Sequence, residues 1–103
     1  LCIYHEEIMF IILLKFSHNK SQAGRLMEAH NTWIQHGFDD GVFMMTGSLQ
    51  DGAGGIVLAQ APSLEILQAR VAEDPFVAEE VVSAEVIEVT PGRTNESLKF
   101  LLT

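Results

Sequence analysis

Apolar side chains crowd the stretch from Met9 to Phe16, MFIILLKF, before the polar cluster Ser17-His18-Asn19. Eight residues rich in β-formers and closed by turn-formers predict a strand. Phe10, Ile12, Leu14 and Phe16 fall on one side of it and Ile11 and Leu13 on the other, so both faces are apolar. The pattern then changes period. Leu26, Met27, His30, Trp33 and Ile34 form one stripe at helical spacing, with Arg25, Glu28, Thr32 and Gln35 on the wet side. This predicts a helix over about 21–36, with Gly37 free to take the left-handed turn that ends it.

Two further strands are predicted at Val42–Leu49 and Gly55–Ala61, joined through Gln50-Asp51-Gly52-Ala53-Gly54, where Asp-Gly supplies positive φ angles. Ser63 is placed to cap a second helix whose buried stripe is Leu64, Leu67 and Val71. Asp74-Pro75 interrupts it, because a residue before proline avoids the α region. A turn through Phe76 to Glu80 leads to a last strand, Val82–Thr90. The order βαββαβ predicts an α+β, ferredoxin-like fold: a four-stranded antiparallel sheet with two helices on one face. That leaves an apolar sheet face uncovered, and a second copy of the chain is its simplest cover. The domain is expected to occupy 9–92, with an N-terminal extension at 1–8 and a C-terminal tail at 93–103. In the tail, Thr94 or Asn95 is placed to cap a helical turn bearing Leu98, Leu101 and Leu102, which either docks on its own domain or reaches across to a partner subunit.

Composition narrows the function classes. The chain has 103 residues, 48% of them hydrophobic, enough for one core. Six basic residues against fourteen acidic ones give a net charge of −8, which argues against nucleic acid and anionic lipid. The apolar run Ile8–Leu14 is too short to span a bilayer, and Glu6 and Glu7 stand where a signal segment would be basic. One cysteine, Cys2, cannot form an internal disulfide, so a cytoplasmic, reducing location is the expectation. Cys2 and His5 are two ligand types without further partners, and no metal site is expected.

His30 stands in the apolar stripe where Leu or Met would fit, and burying an imidazole there requires a hydrogen bond. It is either a satisfied core histidine or a pocket group exchanging protons near neutrality. Asp74 leaves the second helix, on the same side of the sheet, and can either shape its turn or bond one imidazole nitrogen and leave the other free. Gly47-Ser48 ends the second strand and offers close backbone approach with a hydroxyl. Glycines 52, 54 and 55 run into a strand rather than a helix and make no phosphate cradle.

In order, His30-Asn31-Thr32-Trp33-Ile34, Gly41, Thr46-Gly47-Ser48-Leu49, Asp51-Gly52, Gly54-Gly55, Ser63-Leu64-Glu65 and Asp74-Pro75-Phe76-Val77 resemble the pattern of YciI-like proteins over about 9–91. The resemblance implies a dimeric α+β barrel of ferredoxin-like subunits, similar to muconolactone isomerase, with His30 and Asp74 as the active-site pair. Dehydrochlorination of chlorinated hydroquinones is one activity attached to that family. Two positions depart from it: Ser48 stands where many members have proline, and Met27 where an arginine is frequent. Anion recognition would then fall to Arg25 or Arg70.

The expectation is a cofactor-independent lyase or isomerase acting on a small organic compound, of the cyclic or chlorinated kind. His30 is the general acid or base, Asp74 its orienting partner, Gly47 and Ser48 a polar contact, and Trp33 and Phe76 an apolar wall. The alternatives are a non-enzymatic small-molecule-binding or regulatory dimer, and a purely structural dimerisation unit with no pocket near His30.

Overall fold

The computed structural model describes residues 7–102. Cys2, His5 and most of the expected N-terminal extension lie outside the described residues. The elements are β1 (Ile8–Phe16), α1 (Ala23–Asp39), β2 (Phe43–Ser48), β3 (Gly54–Ala61), α2 (Leu64–Ala72), α3 (Pro75–Ala78) and β4 (Val82–Val89), with short 3-10 turns at Lys20–Gln22, Gln50–Gly52 and Glu96–Leu102. The four strands form one sheet in the order β2-β3-β1-β4, antiparallel throughout. This is the ferredoxin-like α+β arrangement that the element order implies, with the doubly apolar β1 at its centre.

Register separates the two faces. Phe10, Ile12 and Leu14 of β1 stand beside Ala59 and Val57 of β3 and pack with Trp33, Leu67, Val71 and Phe76 beneath the helices. On the other face, Ile11 is level with Leu58 on one side and Ile87 on the other, and Met45 extends the row across β2. This row crosses all four strands, and Met45 and Ile87 are 41% and 37% exposed.

Local chemistry sets the boundaries. Ser63 caps α2, its hydroxyl accepting from the Ile66 amide at 3.2 Å. Asp51 and Gly52 adopt φ of 64° and 68° in the β2–β3 connection. Gly37 departs from its expected role: α1 runs through it to Asp39, and Gly41, at φ 72°, takes the left-handed conformation instead. Gly37 is buried inside the helix, where a Cβ would overlap the ring of Phe43. The segment after Asp74 is also more regular than a plain turn. It is a one-turn helix, because Pro75 occupies its first position and Asp74 caps it. The C-terminal turn is capped by Asn95, whose side-chain oxygen accepts from the Leu98 amide, and Leu101 is buried while Leu98, Phe100 and Leu102 remain exposed.

Candidate active site

Asp74 is fully buried, an expensive place for a carboxylate without donors. Its Oδ1 accepts from the Phe76 amide at 3.0 Å as the cap of α3 and lies 2.8 Å from His30 Nδ1. The two residues are 44 positions apart, and the contact between α1 and α3 brings them together. A carboxylate can only accept, so Nδ1 carries the proton and donates it to Oδ1. That fixes the neutral imidazole in the tautomer whose Nε2 is an acceptor. The ring's hydrogen bond among the described residues is through Nδ1, not Nε2, and the second carboxylate oxygen of Asp74, Oδ2, is buried without a partner there.

The imidazole is clamped in orientation as well. It stacks on Phe76 with centroids 4.0 Å apart and planes 5° apart, and Trp33 lies beside it at 5.9 Å. The histidine side chain is 13% exposed, and what it reaches is a cavity of about 310 Å³ between α1 and one end of the sheet. Met27, His30, Asn31 and Ile34 of α1 form one wall. Leu14, Phe16, Phe76 and Val82 supply apolar surface, and Thr46, Gly47, Ser48, Gly54 and Gly55 close the strand end.

Of the residues that sequence reasoning singled out, His30, Gly47, Ser48 and Phe76 reach this cavity, and Asp74 stands behind His30. Trp33 does not line it. The indole is buried in the core, its Nε1–H donating to the Arg70 carbonyl at 2.9 Å, so it supports the His30 ring from behind. Arg25 and Arg70 are not available to a ligand here either: they pair with Glu79 at 3.7 Å and Asp40 at 2.7 Å, and neither lines the cavity.

Asn31 and Thr46 are polar wall residues that sequence reasoning missed. Asn31 had a signal, since 27, 30, 31 and 34 share one helical face. The two glycines before Ile56 had one too. Gly54, at φ 139°, lies where a Cβ would overlap the Leu14 carbonyl, so only glycine fits at that end of the cavity wall. Among the described residues no group of three or more His, Cys, Asp or Glu is arranged to hold a metal, and no helix is long and apolar enough to cross a membrane.

Fold and geometry together define a ferredoxin-like α+β domain with a buried carboxylate–imidazole pair facing a small, mostly apolar cavity. The chain belongs to the YCII-related domain family, whose model matches residues 8–91. Among solved structures it is similar to 5-chloro-2-hydroxyhydroquinone dehydrochlorinase (TftG) from Burkholderia phenoliruptrix AC1100, with TM-score 0.66 and 16% identity over 82% of this chain and 95% of that one. It is also similar to MtbAldR, with TM-score 0.60 and 17% identity over 87% of this chain and 57% of that one. SnoaB, a cofactor-independent oxygenase from Streptomyces nogalater, aligns with TM-score 0.50 and 11% identity over 88% of this chain and 98% of that one. At these identities the likeness is one of fold. No curated protein matches the sequence.

Proposed function

We propose that this protein is a cofactor-independent enzyme of the lyase or isomerase type, acting on a small cyclic organic compound, with His30 as general acid–base and Asp74 as its positioning partner. The observation that carries the reading is the 2.8 Å bond from His30 Nδ1 to a fully buried Asp74, with His30 on the wall of a cavity. When Nε2 takes a proton from a bound substrate, the imidazolium that forms is paired with the carboxylate behind it. Asn31, Thr46 and Ser48 offer neutral hydrogen-bonding groups to the rest of the molecule, and Phe16 and Phe76 offer flat apolar surface. The fold it shares with a dehydrochlorinase supports elimination from an activated ring as the first reaction to try.

The open sheet face supports pairing of two copies through the row Met45, Leu58, Ile11 and Ile87, an isologous contact that would close two sheets into one barrel.

The test is turnover of a panel of chlorinated hydroquinones and ring lactones, followed by chloride release and product chromatography. His30→Gln keeps the size and polarity of the side chain but cannot exchange the proton, and the expected loss is about 10²–10⁴-fold. Turnover unchanged in His30→Gln overturns the assignment. A ligand that binds the wild type and is recovered unaltered would make the same cavity a binding module.

A further inference from the structure

We infer that the cavity beside His30 takes up its ring compound only in the uncharged form, so that charge first develops inside, on transfer of a proton to Nε2. This rests on the acid–base reading of the His30–Asp74 pair and adds the electrostatic class of the substrate.

The wall supplies the argument. Among the described residues its one ionisable member is His30; the rest are apolar residues, glycines and the uncharged polar residues Asn31, Thr46 and Ser48. The acidic group nearest the imidazole is Asp74, 2.8 Å from Nδ1, and it offers an anion no donor. No Lys or Arg among the described residues lines the cavity. Arg25 and Arg70 are paired with carboxylates away from the cavity, and Lys20 sits over the Phe16 ring at 4.8 Å, exposed and outside the lining. The chain as a whole carries −8. A carboxylate or phosphate entering this site would lose water without gaining a fixed counterion from the wall, and would bind more weakly for it. An uncharged hydroxyl or carbonyl loses far less and can be satisfied by a serine, threonine or asparagine.

Size points the same way. About 310 Å³ lies at the small end of ligand sites, which run from about 300 to 1,000 Å³, so one substituted ring is a better match than a larger conjugate. Once inside, the ring's acidic O–H or C–H gives its proton to Nε2, and the bonding electron pair stays on the substrate oxygen or carbon. The site then holds a substrate anion, an imidazolium and the Asp74 carboxylate. No charge has entered or left, and the new anion meets its counterion only after it forms. A substrate that arrives already ionised at the neutral imidazole has no proton to give Nε2 and forgoes that pairing.

The experiment uses three probes that differ in one substituent: benzene-1,4-diol, 2,5-dihydroxybenzamide and 2,5-dihydroxybenzoate. Each is titrated into the intact protein while the His30 ring nitrogens and carbon-bound protons are followed by NMR, with the resonances of His18 and His36 as internal controls. The expected result is that the diol and the amide shift the His30 resonances saturably, whereas the carboxylate binds at least about tenfold more weakly. Met27→Arg puts a cation on the cavity wall from an exposed helical position and is expected to narrow the amide-to-carboxylate affinity ratio by most of that factor, whatever it does to the binding of both. Equal binding of amide and carboxylate by the wild type overturns the charge selection while leaving the His30–Asp74 reading in place. If none of the three perturbs His30, both the selection and the ring-substrate reading fall.

Discussion

Asp74 shows how one side chain can hold two structures together. Its Oδ1 caps α3 and accepts from His30, so removing it strips a helix cap and leaves an imidazole N–H without its acceptor. Asp74→Ala is expected to lower stability by about 2–3 kcal/mol, the cap and the orphaned donor each contributing about 1 kcal/mol or more. Urea unfolding checks this; a loss near zero would mean that the cap and the His30 bond do no more than offset the cost of burying the carboxyl group. Both members of the pair were visible in the sequence, His30 because it breaks an apolar stripe and Asp74 because it precedes proline. Their 2.8 Å separation was not, since it depends on how α1 and α3 pack. Trp33 was misplaced for a related reason: periodicity gives the face of a helix but not which residues on that face meet the core and which meet a gap.

At the scale of elements, α1 is the member that positions the site, and Gly37 shows what fixes its height over the sheet. Glycine inside a helix costs about 1 kcal/mol relative to alanine. Here it lets the helix lie directly on the Phe43 ring, itself held edge-on by Trp33 and Phe38. Gly37→Ala therefore sets a propensity gain against an overlap that typically costs about 1–3 kcal/mol in a packed core. The overlap is with the body of a buried ring and is expected to win. The variant should melt several degrees lower, whereas a higher melting temperature would show that α1 can lift off freely. Strand spans and the Ser63 cap were legible because they depend on neighbours in sequence. The end of α1 was not, because two glycines stand near it: Gly37 stays inside the helix against the Phe43 ring, and Gly41 takes the left-handed turn.

For the whole molecule, the two faces of the sheet make different demands. One is filled by helices, and the other presents Met45, Leu58, Ile11 and Ile87 in a line. The alternation along β1 already implied this, since a strand apolar on both sides needs two covers. Leu58→Lys places a charge in the middle of the row. Sedimentation should then report a shift from dimer to monomer with helical content retained; a wild type that sediments as a monomer, or a variant that stays paired, would remove this face as the interface. The tail follows the same logic less completely. Leu101 is buried, yet Leu98, Phe100 and Leu102 stay exposed, and spacing alone did not distinguish them.

The proposed chemistry requires one arrangement: a proton on His30 Nδ1, held there by Asp74, and a lone pair on Nε2 open to the cavity. Ring-nitrogen NMR of the neutral histidine measures this without a substrate. In the wild type it should give a predominantly Nδ1-protonated tautomer for His30, with a slowly exchanging proton that disappears in Asp74→Ala. A His30 ring protonated mainly on Nε2, indifferent to the loss of Asp74, would contradict it.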